Sequence, residues 1–200
     1  TYTCDLSPAQ EEVDTLSEFL NNGGKWFGLH GTNALIEFVG EMQIVDGLEI
    51  PGKTDTPNKN PELMKLLGSR FIAHPPNMNS KVTVNDRSHP VTKDLEDFEI
   101  FDEPYYFEFS DGIKILLESR YTDDADAYVS SSWKEDIPRP QMYLHKVSKG
   151  SVLYLMLGHC RGKYDMRPFM DECPVDRGGW ESEVFYELLR RGIRWGINKL

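Results

Sequence analysis

The chain has 200 residues, 39% of them hydrophobic and 28% charged, which is long enough for one core without disulfide support. Its 22 Lys and Arg against 33 Asp and Glu leave a net charge of −11, the wrong sign for neutralising a nucleic-acid backbone or an anionic membrane. No apolar run approaches the roughly 20 residues of a membrane-spanning helix, and no basic-then-apolar leader opens the chain.

Thr1-Tyr2-Thr3-Cys4 reads as the tail of a strand. A helix follows, with Ser7 as cap, Pro8 in the first turn and Gln10 completing a capping box. Val13, Leu16, Phe19 and Leu20 share one face, and Asn21-Asn22-Gly23-Gly24 ends it. Residues 25–29 are a short apolar run that reads as a buried strand, leading through Gly28-Leu29-His30-Gly31 into a helix expected over 32–39. Residues 41–60 read as a long loop, and Asn60-Pro61 opens a short helix ending near Gly68. Strands are expected over 81–84, 98–101 and 113–118, and a hairpin over 141–147 and 151–157 about Ser148-Lys149-Gly150. Residues 160–179 read as a polar loop, and the last helix lines up Val184, Phe185, Leu188, Leu189, Ile193 and Gly196. Helices alternating with buried strands point to a layered α/β fold in one domain, residues 1–200. The continuous apolar character of 25–29 and 151–157 predicts two inner strands of a mainly parallel sheet, antiparallel at the hairpin edge.

His30 and His159 each follow an apolar strand and a glycine. Ligands of open α/β sheets bind beyond the carboxyl ends of strands, so both are expected at one cleft. His30 occupies the apex of an outline like a nucleophile elbow, where Ser or Cys would be the nucleophile. Asp102-Glu103-Pro104-Tyr105-Tyr106 brings acids that can orient a histidine, hold a metal or bind sugar hydroxyls, unless it is only an acidic turn. His74 and His89 precede prolines, which restrict them to extended geometry. Cys160 beside His159 cannot readily present both side chains to one atom, Cys4 is a candidate lining residue, and Cys173 carries no signal. Three cysteines, an odd number, predict no structural disulfide and a reducing, cytoplasmic setting. CxxC, HExxH, Walker A and GxGxxG spacings are absent.

Taken in order, these segments resemble the ThuA-like, trehalose-utilisation family. The motifs are Gly23-Gly24 with Gly28-Leu29-His30-Gly31, Leu67-Gly68 with Phe71 and His74-Pro75, His89-Pro90-Val91-Thr92, Asp102-Glu103 with Tyr105, Gly150 with Leu153-Tyr154, Leu157-Gly158-His159, and Arg191-Gly192-Ile193-Arg194-Trp195. The resemblance implies a flavodoxin-like three-layer sandwich of the class I glutamine amidotransferase type. That family begins with a strand, a helix and a second strand, so the first strand–helix unit is expected to be missing here. His30 stands where amidotransferases carry cysteine, which argues against glutaminase chemistry through a thioester.

The resemblance implies a role in trehalose or keto-sugar utilisation, with a small-molecule sugar as partner and a homo-oligomer as a further expectation. His30, Glu103 and His159 are the candidate catalytic residues, and Tyr105, Asp102, His74 and His89 the candidate substrate-binding residues. Histidine can move a proton near neutral pH; Glu103 would set its tautomer and Tyr105 would donate to substrate oxygen. His30, Glu103 and His159 also form a candidate metal set of a kind that suits zinc or iron. Such a site suits a hydrolase, lyase or isomerase. The alternative is a non-catalytic carbohydrate-binding or interaction module.

Overall fold

The computed structural model describes residues 1–45, 48–50, 52–168 and 170–200. Helix α1, Gln10–Asn21, buries Val13 and Leu20. Ala9 rather than Ser7 is its cap residue, and the Glu12 carboxylate accepts the Ala9 N–H at 2.8 Å. Strand β1 is Lys25–Leu29. The helix expected over 32–39 is instead a single 3-10 turn, His30–Asn33, followed by β2, Glu37–Val39. The stretch read as a loop adds β3 (Gln43–Val45), β4 (Leu48–Ile50) and β5 (Lys53–Asp55), with β2 pairing β5 and β3 pairing β4. Helix α2, Pro61–Leu67, starts as its sequence predicts: Asn60 Oδ1 accepts the Leu63 N–H at 3.1 Å, and Gly68 ends it in the left-handed region.

The remaining strands are β6 (Ser69–Ala73), β7 (Met78–Val84), β8 (Phe98–Asp102), β9 (Tyr106–Phe109), β10 (Lys114–Ser119), β11 (Arg139–Val147) and β12 (Gly150–Leu155). β6 and β9 form a separate antiparallel pair. Helix α3, Glu183–Gly196, buries Phe185, Leu188, Gly192 and Trp195, while Ile193 faces out at 58% exposure.

Six strands make one mixed sheet in the order β1-β12-β11-β10-β7-β8. Only β1 and β12 run parallel within it; the other four neighbouring pairs are antiparallel. The mainly parallel flavodoxin-like sandwich is therefore corrected to a mixed α/β fold with a largely antiparallel sheet. The cause lies in the connections: a parallel return needs a crossover, usually helical. Here β11 turns directly into β12, and residues 120–138 pass from β10 to β11 with no helix.

Strand β12 is the inner strand its apolar run predicts. Val152, Tyr154 and Met156 enter the core beneath α1 and α2, and Leu153, Leu155 and Leu157 enter the core beneath α3. β1 instead stands at one end of the six-strand order. Beyond it lie only Thr1 and Tyr2, with Tyr2 bridged in parallel to Leu29 and Leu29 N–H donating to Thr1 O at 3.0 Å. No described helix is long and apolar enough to cross a membrane.

Leu153 is fully buried on the α3 side of β12. Leu153→Ala is expected to cost about 2–5 kcal/mol through lost burial and the remaining cavity, read as a lower midpoint in urea unfolding.

Candidate functional site

His30 leaves β1 with φ +44°, in the left-handed region that a β-carbon disfavours. Tyr154 braces this corner: its hydroxyl donates to His30 O at 2.7 Å and accepts the Asn33 N–H at 2.8 Å. Gly31 must be small, because an added Cβ would meet Thr3 O at 2.9 Å and Cys4 Cβ at 3.1 Å. The ring is then aimed by Met156, whose carbonyl sits 2.8 Å from His30 Nδ1. A carbonyl only accepts, so Nδ1 carries a proton. This bond, rather than Glu103, sets the tautomer.

Asp102 joins two parts of the fold that the sheet order keeps apart, since β11, β10 and β7 lie between β8 and β12. Its carboxylate accepts the N–H groups of Glu103 at 2.7 Å, Gly158 at 2.7 Å and His159 at 2.9 Å. The curled sheet thus brings the end of β8 onto the exit of β12. Gly178 and Gly179 cover the carboxylate, and an added Cβ on Gly179 would collide with Asp102 Oδ2. Burial pushes the Asp102 carboxyl above its usual range, partly offset by the charge of His30 and these N–H donors. Asp102 is thus a staple of the backbone, its two oxygens accepting three N–H groups.

Beside it, Glu103 sits among three imidazoles. Glu103 Oε2 is 3.2 Å from His30 Nε2, and Oε1 is 3.1 Å from His74 Nε2 and 3.2 Å from His159 Nδ1. Tyr105 OH lies 2.8 Å from His30 Nε2. Burial and then the charge of Glu103 hold this phenol well above its usual pKa, so it stays protonated and points at the histidine rather than at open space. Burial alone would raise the Glu103 carboxyl. The charge of His74 and hydrogen bonds from His159 and His30 overcome it and hold Glu103 well below the usual carboxylate range. Burial lowers His74. Burial also disfavours charged His159, but its bond to Glu103 and the charges of Glu103, Asp176 and Asp102 raise it on balance.

The nitrogen lone pairs constrain what the cluster holds. His74 Nδ1 donates to Pro75 O at 2.8 Å, as His30 Nδ1 does to Met156 O. Both rings, when neutral, therefore turn an unprotonated Nε2 toward an anionic carboxylate. The Tyr105 hydroxyl proton fills the lone pair of His30 Nε2 in this arrangement, and an imidazolium proton or a metal cation would serve the remaining contacts with Glu103. His30, Glu103 and His159 each offer a ligand atom within 4.8 Å of the others. Their 3.2 Å nitrogen–oxygen separations resemble the roughly 3.3 Å edge of a tetrahedron with zinc bonds of about 2.0–2.1 Å.

The structure thus gathers His30, Glu103, His159, His74 and Tyr105, with Asp102 beneath them. His89 sits elsewhere, in the turn after β7, where its Nδ1 accepts the Val91 N–H at 3.2 Å; its candidacy as a substrate-binding residue in this cleft is corrected accordingly. The cluster reaches solvent through the partly exposed His74 and His159. Four neighbours carried no signal in the sequence. Tyr2 stacks on His30 with ring centroids 6.3 Å apart, and Tyr2 OH and Trp180 Nε1 both donate to Gly158 O. Asp176 Oδ2 accepts from Asn77 Nδ2 at 2.6 Å and lies 3.7 Å from His159 Nε2. That nitrogen is buried without a hydrogen-bond partner among the described residues. All three cysteines are free.

Asp102→Asn would set an amide donor against backbone N–H groups. It is expected to cost at least about 2 kcal/mol, on the scale of unsatisfied buried donors, seen as a lower melting temperature. Gly179→Ala should act in the same direction through steric displacement of the same carboxylate.

The chain matches the family model described as ThuA, trehalose utilisation, over residues 51–173. Among solved structures it is similar to a ThuA-like protein from Bacteroides uniformis ATCC 8492, at 20% identity and a TM-score of 0.62, covering 99% of this chain and 69% of that one. A ThuA-like protein from Parabacteroides merdae ATCC 43184 matches at 19% identity and a TM-score of 0.59, covering 97% and 67%. A cytoplasmic protein from Salmonella typhimurium LT2 matches at 11% identity and a TM-score of 0.50, covering 98% and 68%. At such identities the likeness concerns the fold alone. No curated protein matches the sequence. The family model spans more than half of the 200 residues and includes His74, Glu103, Tyr105 and His159, so the chain belongs to the ThuA, trehalose-utilisation family.

Proposed function

We propose that this ThuA-family protein binds a hydroxylated sugar, a disaccharide or its keto form, at the His30–Glu103–His159 cluster and acts on it with a divalent cation, zinc in the first instance. The observation that carries the reading is the buried Glu103 carboxylate facing imidazole nitrogens at 3.1–3.2 Å, two of whose rings have their Nδ1 protons committed to carbonyls. Two imidazoles and one carboxylate suit zinc or ferrous iron and leave room for a substrate oxygen. Bound there, a divalent cation supplies Lewis-acid polarisation of a hydroxyl or carbonyl oxygen. His74, partly exposed and outside that ligand set, is placed to take or return a proton at the mouth of the cluster. Tyr105 OH caps His30 Nε2 in the absence of a cation and would turn from that lone pair to the cation or the substrate when one binds. The reaction classes that fit are hydrolysis, elimination and isomerisation, and the free cysteines accord with a cytoplasmic setting.

A second reading, sugar binding without turnover, draws on the deep burial of His30 and Glu103, at 6% and 8% exposure. Metal analysis of protein purified without chelators tests the first reading. About one zinc or iron per chain is expected, lost in His159→Ala and in Glu103→Gln, as for a site of three protein ligands. Metal-free wild-type protein that takes up none on addition overturns the metal. Incubation with a panel of disaccharides and their 3-keto forms, followed by mass spectrometry and binding calorimetry, then separates the two readings. A converted sugar supports catalysis, a bound but unchanged one supports the module, and no interaction at all overturns both.

A further inference from the structure

On the other side of Tyr105 lies a cleft of about 500 Å³, between β9 and the segment 132–140. That volume is in the range of small-molecule sites. Phe107, Phe109, Trp133 and Ile137 supply apolar walls, and Arg139 lies in the lining with them.

Arg139 is the unusual member. It opens β11 and is only 7% exposed. Its Nε donates to Tyr121 O at 3.0 Å and its Nη2 to Glu135 O at 2.9 Å. Neither acceptor is charged, and no carboxylate lies within ion-pair distance among the described residues. The paired arginines among the described residues show the contrast: Arg70 meets Glu108, Arg87 meets Glu96 and Asp97, Arg120 meets Asp136, and Arg190 and Arg191 meet Glu187. All of those pairs have a partner near the surface, where water screens them. Arg139 has lost most of its water and has no counter-charge. The rings of Tyr106, Tyr121 and Trp133 lie 4.5, 5.3 and 5.9 Å from its guanidinium carbon, which compensates in part by cation–π attraction. Nη1 has no hydrogen-bond partner among the described residues, so one edge of the donor fork is free.

A buried cation with three unused N–H donors beside an aromatic-walled cleft has a clear chemical complement. Lys134 adds a second positive charge to the lining, though it is paired with Asp124 at 2.7 Å, and the exposed Glu135 lines the cleft as well. We propose that this cleft is a second binding site, separate from the His30–Glu103–His159 cluster, for a small organic anion: a carboxylate or phosphate ester on a ring. The anion engages Arg139 and the ring lies against Trp133 and Phe109.

Titration calorimetry with the full chain tests this, using benzoate, glucuronate and phenyl phosphate as probes and phenol and glucose as neutral controls. At least one anion is expected to bind and neither control to do so. Arg139→Gln should weaken that binding about tenfold or more, the scale of a lost charge-assisted hydrogen bond. Because Arg139 also holds two backbone carbonyls, Arg139→Gln can fail to fold. Ile137→Asp is the companion variant. Ile137 is 45% exposed at the cleft, and a carboxylate there repels an anion without touching the guanidinium, so it should weaken binding while leaving the melting temperature in place. Glu103→Gln, which tests the metal cluster, should leave anion binding unchanged. No binding of any anion at millimolar concentration, equal binding of the neutral controls, or binding unaffected by Ile137→Asp overturns the proposal.

Discussion

The geometry of the site depends on one carboxylate. Asp102 takes three backbone N–H groups, from Glu103, Gly158 and His159, and so ties the outermost strand of the sheet to the exit of its most buried one. Without that tie, Glu103 and His159 belong to segments separated by three strands. A buried carboxylate is costly unless its oxygens are satisfied, and three amides meet that requirement. Gly178 and Gly179 are small for the same reason: they pack directly over it.

A second polar network supports the opposite wall. Asn33 Nδ2 reaches Ser69 Oγ at 2.6 Å, Ser69 Oγ meets Tyr143 OH at 2.8 Å, and Tyr143 OH donates to Leu67 O at 2.7 Å. Tyr154 stacks on Tyr143, with centroids 5.5 Å apart, and holds both His30 O and the Asn33 N–H. The positive φ of His30 is thus fixed by several hydroxyls acting on backbone groups. Strain of this kind persists where the surroundings over-determine it.

What could be read in the sequence follows from the range of the forces involved. Asn60-Pro61 and Gly68 act within their own turn, and α2 begins and ends where they predict. The apolar run 151–157 is buried on both faces, and its character announced that. The helix expected over 32–39 failed because the hydroxyl of Tyr154, some 120 residues away in sequence, holds that corner in a different conformation. The runs 25–29 and 151–157 do pair in parallel and the hairpin is antiparallel; the mainly parallel sheet failed because β10, β7 and β8 add antiparallel pairs, and β1 lies at an edge because apolar content reports burial and not position in the sheet. The pairing of His30 and His159 was legible from strand exits and glycines, while Glu103 joined them through its acidic turn and the family resemblance; the part played by Asp102 was not legible, since a staple and a ligand look alike in sequence. Tyr2, Trp180, Asn77 and Asp176 reach the cluster through tertiary contacts alone.

The two-sided burial of β12 has a dynamic consequence. Amide protons exchange slowest where opening requires the whole core to part, and faster at sheet edges and strand ends. Met156, which orients His30, continues directly from that most protected strand, and His159 follows three residues later. Glu103 arrives instead from β8, an edge strand with Phe101 45% exposed. His30 in turn leaves β1, at the other end of the strand order. The cluster therefore joins one well-protected strand to two sheet edges, and the Asp102 carboxylate couples the opening of the edge that carries Glu103 to that of the strand exit that carries His159.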